Sequence, residues 1–299
     1  MGELVEGAVG FVGLGMMGRA LVGRLLEQRI PVVAWNRSPG PVRAARRRGA
    51  VGAASPREVG ERSGTGIVFT MVTDGTALRS VLFGRRGLAE GLPRSGLVVD
   101  LSTVLPSDSI GAARRLKKSG HHFLDVPVGG SVDAAAAGRL LYYVGGDPAD
   151  LERVRPVLER IGRGVEAMGP VGAGAAMKFV NNLITIGTVS MLCEAVAVGE
   201  ATGIPRARVL DVLGKGGAAS TMLESKRTAL AARRYPARFK LVLARKDLRL
   251  FEKHAKTQGV APVGARAARR WFDAAVREGR GNADFSAVFE TVRRPRRPR

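Results

Sequence analysis

Cysteine is nearly absent from this chain of 299 residues: Cys193 stands alone, so no internal disulfide can form. A reducing cytoplasm is the expected compartment, with Cys193 a small core residue. Histidine is scarce too. His121, His122 and His254 show neither metal-ligand spacing nor the partners of a catalytic triad, so no metal is expected. Acidic residues number 26 against 48 lysines and arginines, which leaves a net charge of +22. That excess has three readings: nucleic-acid binding, attraction of anionic substrates and cofactors, or the arginine-rich surface of a thermophile, the last in keeping with the paucity of Asn, Gln and Cys. The arginines are scattered through predicted helices and do not form one strip interleaved with aromatics, which argues against nucleic acid. The exception is Arg293 to Arg299, a proline-broken basic run that reads as a disordered tail. No targeting signal is read in Met1 to Gly7, where Glu3 and Glu6 lead straight into a strand.

What is present is a globular composition, 45% hydrophobic, in a chain long enough for two cores. Ala8 to Val12 reads as a buried strand and runs into Gly13-Leu14-Gly15-Met16-Met17-Gly18, followed by a helical stretch from Arg19 to Gln28. This is the G-x-G-x-x-G fingerprint in its strand-turn-helix context. The first glycine makes the tight turn, the second lets the backbone approach a pyrophosphate, and the third allows close helix packing. The next strand, Pro31 to Trp35, ends in Asn36-Arg37-Ser38, where an NAD site would place an acid on the ribose 2′-hydroxyl. An arginine and a serine there suit a 2′-phosphate, so NADP is the expected cofactor.

Strands then alternate with helices: strands at Gly66 to Val72, Gly96 to Asp100, His122 to Val126, Leu140 to Val144 and Val165 to Met168, helices at Gly75 to Leu82, Pro106 to Lys118 and Pro148 to Ile161. Repeated βα units predict a mostly parallel, doubly wound sheet with ligand-facing loops at the strands' carboxyl ends. Those ends carry Met71-Val72-Thr73-Asp74, Ser102-Thr103 and Val126 to Ser131. After Gly169 the pattern turns wholly helical, which puts the domains at 1–169 and 170–292, with 293–299 as the tail. Further helices are predicted at Pro205 to Leu213, Thr221 to Ala232, Leu241 to Thr257 and Val263 to Glu278.

Val171 to Gly203 reads as one long helix, and near its start Lys178 and Asn182 are four residues apart, one turn above each other on the same face. A lysine entering an apolar helix is costly to desolvate without a compensating role. The alternative is a lysine snorkelling to solvent beside an asparagine cap. A membrane span is not expected, because Lys178, Asn181, Asn182 and Glu194 break up the apolar run.

Taken together these motifs resemble the β-hydroxyacid dehydrogenases, the family of 3-hydroxyisobutyrate dehydrogenase, along nearly the full length. Phe11 to Gly18 is similar to its cofactor signature, Asp100-Leu-Ser-Thr103 to its nicotinamide-side loop, and Asp125 to Ser131 to its substrate loop. Gly172-x-Gly174-x-x-x-Lys178-x-x-Asn181-Asn182 resembles its catalytic stretch, Lys246-Asp247-Leu248 a motif closing over the cofactor, and Asp284 to Ala287 its C-terminal pattern. The resemblance implies a Rossmann domain, a helical domain, and a homodimer or homotetramer paired through the long helix. Two departures stand out: Gly129-Gly130-Ser131 where many relatives have Ser-Gly-Gly, and Phe251 where a small residue is usual.

The implied reaction is reversible hydride transfer between NADP(H) and a small 3-hydroxy acid, of the 3-hydroxyisobutyrate or L-serine type. Lys178 is the expected general acid/base, its pKa lowered by partial burial and by the cationic nicotinamide. Asn182 is expected to orient substrate or Lys178, Ser102 and the 129–131 turn to bind substrate, Thr103 to contact substrate and bind the cofactor, and Lys246 to sit by the cofactor. The alternatives are a glyoxylate/succinic semialdehyde reductase, an imine reductase, which Lys178 counts against, and a non-catalytic nucleic-acid-binding protein on the same fold.

Overall fold

The computed structural model describes residues 6–293. The expected basic tail therefore lies, past Arg293, outside the described residues. Two compact units divide the chain at Lys178/Phe179.

In the first unit the strands β1 (Val9–Val12), β2 (Val32–Trp35), β3 (Val51–Gly52), β4 (Ile67–Thr70), β5 (Leu97–Asp100) and β6 (His122–Asp125) run parallel in the order 3-2-1-4-5-6. That is the doubly wound order. Strands such as Val-Gly-Phe-Val and Leu-Val-Val-Asp are buried at every position, because helices cover both faces and no side chain of a central strand meets water. The crossovers are α1 (Met16–Glu27), α2 (Pro39–Arg46), α3 (Pro56–Arg62), α4 (Gly75–Phe83) and α5 (Pro106–Lys118). The helix α3 was not expected from periodicity, but its start is written locally: Ser55 accepts from the Glu58 amide, and the Glu58 carboxylate returns to the Ala54 amide.

Past β6 the sheet changes direction. A short β7 (Val128–Gly129), a helix α6 (Val132–Ala136), β8 (Leu140–Gly145), α7 (Pro148–Ile161) and β9 (Gly162–Gly169) follow, with β8 antiparallel to both β6 and β7 and parallel to β9. The expected parallel sheet is thus parallel through six strands and mixed at this edge, where the turn at Pro127–Gly130 brings the chain back beside itself.

The long helix α8 (Ala173–Ala201) has 29 residues. Its first turns belong to the first unit, so the division falls later than the change of pattern at Gly169. The reason is a cap: the carboxylate of Asp125, at the end of β6, accepts from the amides of Gly172 and Ala175, both at 2.7 Å. With a mean hydropathy of 1.5 over its best 18-residue window, α8 is by length and composition able to cross a membrane, so the expectation that polar residues leave too short an apolar run is corrected. Its reading as a core helix rests instead on packing. Ile186, Val189, Cys193 and Val196 are buried in the core of the second unit with Leu210, Leu248, Phe272 and Phe289.

That second unit continues through α9 (Arg206–Leu213), α10 (Thr221–Ala232), α11 (Leu241–Thr257), α12 (Val263–Arg277) and the short α13 (Phe289–Val292). The Asp284-to-Ala287 motif has a structural task here. Buried Lys226 donates to Asp284 at 2.9 Å, and the same carboxylate accepts from Ser286 and from the Phe239 amide, tying three segments together.

Candidate active site

The glycine turn after β1 is built as its spacing predicts. Gly13 has φ +105°, and a Cβ on it would lie 2.2 Å from the Met71 carbonyl oxygen. A Cβ on Gly18 would meet the Gly13 oxygen at 2.1 Å, so α1 packs on the turn through bare backbone. A Cβ on Gly15 would meet nothing within 4 Å beyond its own chain neighbours, and the first turn of α1 carries no acid. An exposed backbone at a helix N-terminus is what a pyrophosphate needs, so these residues fit a dinucleotide.

Asn36 plays an unexpected part in this turn. Its Oδ1 accepts from the Leu14 amide at 2.9 Å and its Nδ2 donates to the Ser38 carbonyl, so it ties the glycine turn to the end of β2. The Leu14 amide is therefore engaged and its side chain buried, and Leu14 contributes structure to the turn and no free N–H. Met16 and Met17 are half-buried behind Gly15, while Arg37 and Ser38 are exposed at the rim.

At the ends of β4 and β5 two expected ligand contacts face each other. Ser102, 2% exposed, accepts from the Val72 amide at 2.9 Å and donates to Asp100 at 2.6 Å. The hydroxyl stitches the two loops together, because it can satisfy both a half-buried amide and a buried acid. Met71 and Thr103 are half-buried and Thr73 is exposed along this edge. Asp100 accepts from Thr70, from the Ser102 hydroxyl and from the Ser102 amide on one oxygen, while the other has no partner. Burial pushes its pKa up to about 6 against those hydrogen bonds.

Beyond β6 the chain turns through Val128, Gly129, Gly130 and Ser131. Gly130 has φ +135° and is exposed, a conformation that a side chain would strain. The Ser131 hydroxyl caps α6 by accepting from the Ala134 amide at 3.3 Å. Lys178 reaches back to this turn from α8, its Nζ donating to the Val128 carbonyl at 2.7 Å. The glycine turn, the 71–73 and 102–103 loops, the 129–131 turn and the Lys178 ammonium thus all stand at the carboxyl edge of one sheet.

In the second unit Asn182, one helical turn beyond Lys178, is 5% exposed and donates to Asp247 at 2.7 Å. Asn181 donates in turn to Asn182 at 3.2 Å, and Lys246 pairs with Asp247 at 2.9 Å. Asp247 holds both expected site residues, Asn182 and Lys246, in place. Sequence reasoning named neither Asp247 nor Asp125 as a site residue, although each sits inside a motif already singled out.

Comparison with known proteins agrees with this geometry. Residues 8–169 match the NAD-binding domain of 6-phosphogluconate dehydrogenase, and residues 172–292 match the NAD-binding domain of NADP-dependent 3-hydroxyisobutyrate dehydrogenase. Glyoxylate/succinic semialdehyde reductase 1 of Arabidopsis thaliana is 32% identical over 95% of this chain and 98% of its own. The 3-sulfolactaldehyde reductase of Escherichia coli is 32% identical over 96% of each. A solved 3-hydroxyisobutyrate dehydrogenase from Mycobacterium tuberculosis, with L-serine, superposes with a TM-score of 0.86 at 26% identity, covering 97% of this chain and 100% of that one. The chain belongs to the β-hydroxyacid dehydrogenases, the nicotinamide-dependent oxidoreductases that include 3-hydroxyisobutyrate dehydrogenase.

Proposed function

We propose that this protein interconverts a short 3-hydroxy acid, of the 3-hydroxyisobutyrate or L-serine type, and its carbonyl form, with NADP as cofactor and Lys178 as the proton-transferring group. The observation that carries the reading is the Lys178 ammonium held 2.7 Å from the Val128 carbonyl on a helix capped by Asp125. A long flexible side chain is aimed at the 129–131 turn by two fixed points, one at its base and one at its tip. When bound, the nicotinamide accepts or delivers the hydride. Lys178 takes the hydroxyl proton on oxidation and returns it to the carbonyl oxygen on reduction. The Gly129-Gly130 backbone receives the substrate carboxylate, since bare glycine amides let an anion approach.

The Arabidopsis relative supports a second direction of use, reduction of a small aldehyde acid such as glyoxylate or succinic semialdehyde, by the same residues. What supports NADP over NAD is Arg37 and Ser38 at the end of β2, where no acid stands to repel a 2′-phosphate. We infer as well that copies pair through the outer face of α8, where Val180, Ile184, Met191 and Val198 lie exposed. Nicotinamide absorbance across a panel of 3-hydroxy acids, 2-hydroxy acids, aldehyde acids and neutral alcohols tests the proposal. Turnover of neutral alcohols as fast as of the acids would overturn it.

A further inference from the structure

The turn at Val128–Gly129 has a phenol in it. Tyr142 and Tyr143 are adjacent on β8 and so point to opposite faces of the sheet. Tyr142 enters the core and donates to the Ile161 carbonyl. Tyr143 goes the other way, towards the turn that Lys178 touches. Its own amide donates to the Pro127 carbonyl at 3.1 Å, which fixes its backbone against the loop. A Cβ built on Gly129 would lie 2.4 Å from the Tyr143 Oη and 3.0 Å from its Cζ. The phenol hydroxyl therefore occupies the volume that a side chain at position 129 would fill, one residue from the Val128 carbonyl to which Lys178 donates at 2.7 Å.

We infer that Tyr143 is a substrate-binding residue, its hydroxyl donating to the carboxylate of the acid received by the Gly129-Gly130 turn. This rests on the function proposed above. A serine at 129 would bring a hydroxyl on a short, rotatable arm; here the group comes from a strand, on a rigid ring that is 6% exposed. The Ser102 hydroxyl donates to Asp100 and the Ser131 hydroxyl accepts from the Ala134 amide, and the phenol brings a further donor to the turn from β8. Burial raises the phenol's pKa, while Arg163 pulls it the other way. The group stays protonated at neutral pH and is a donor to an anion. The arrangement also explains why position 129 is glycine: the phenol and any larger residue exclude each other.

The test compares wild type, Tyr143→Phe, Tyr143→Leu, Gly129→Ser and the Tyr143→Leu/Gly129→Ser double variant. Binding of 3-hydroxyisobutyrate and L-serine to the NADP complex is measured by calorimetry, beside turnover, NADP affinity and melting temperature. Tyr143→Phe should raise both the Kd and the KM of the acids about ten- to a hundredfold, the worth of a hydrogen bond to a charged group. Its kcat, NADP affinity and melting temperature should stay near wild type. Gly129→Ser alone should lose acid binding by displacing the phenol, and the double variant should recover part of it, a non-additivity that two independent sites would not show. Acid binding by Tyr143→Phe within twofold of wild type overturns the assignment of Tyr143 alone. A wild type that binds the acids without turning them over overturns the proposed reaction while the Tyr143 comparison still stands. A wild type that binds no acid overturns both.

Discussion

Asp125 accepts the amide hydrogen of Ala175 at 2.7 Å, so a carboxylate at the end of a sheet strand caps the helix that carries Lys178. With its other oxygen on the Gly172 amide, this one side chain, 1% exposed, satisfies two of the amides that a helix start leaves open.

Asp125→Asn should therefore be destabilising out of proportion to its size. The amide side chain keeps one acceptor but turns an N–H₂ group towards a backbone N–H, leaving a buried donor unpaired at a cost of about 1–3 kcal/mol. Because the base of Lys178 shifts with the cap, turnover should fall as well. Urea unfolding and kcat are the measurements; a variant with wild-type stability would show the cap to be dispensable.

The buried acids also set a pH dependence. Burial raises the Asp100 carboxyl from 3.8 to about 6 and the Asp125 carboxyl to about 7. Across that window the folded protein holds protons that the unfolded chain has released. The contribution of these groups is therefore full below about pH 4 and is lost as pH rises through 6 and 7. Asp284 and Glu290 act in the opposite sense: burial opposes it, but Lys226 and Arg233 hold them below their ordinary range, so their stabilisation is lost in acid. Asp100→Asn should flatten the fall between about pH 4 and 7, since one Asp100 oxygen has no partner and the other can be replaced by the amide carbonyl. Melting temperatures of both proteins across that range decide the matter; parallel curves would sink the idea.

Lys178→Ala removes the proposed proton carrier and leaves the glycine turn after β1 untouched. The expected result is a loss of turnover of about 10²- to 10⁴-fold with NADPH affinity and melting temperature little changed. A collapse in melting temperature with proportionate loss of cofactor binding would instead make Lys178 a structural residue.

Arg37→Asp places an acid where the 2′-phosphate is proposed to lie. It should weaken NADPH binding by one to two decades, corresponding to a charge-assisted contact of about 1.5–3 kcal/mol, and reverse or abolish the preference over NADH. Titrations of both cofactors against both proteins provide the check. Equal affinity of the wild type for NADPH and NADH would remove the basis of the assignment.

How the protein came to be legible is clearest residue by residue. The glycine turn could be read from the chain because its requirement is local: a positive φ at Gly13 and backbone contact at Gly18 follow from what lies within a few positions. The long helix and its Lys178/Asn182 spacing are likewise consequences of helical period, and α5 and α7 carry their own starts in Pro106 and in the Asp147 cap beside Pro148. Tertiary structure alone decided what the polar groups do. Ser102 and Asn36 sit in the predicted loops, yet their side chains satisfy the half-buried amides of Val72 and Leu14. Asp125 and Asp247 became the supports of Lys178, Asn182 and Lys246 through contacts 50 to 65 positions away in sequence or, for Lys246, at the next residue. The reason is physical. A buried N–H or carboxylate must find a partner wherever the fold brings one, so a polar residue's spacing shows which loop it occupies, and only the packed chain determines whether it faces a ligand or the protein itself.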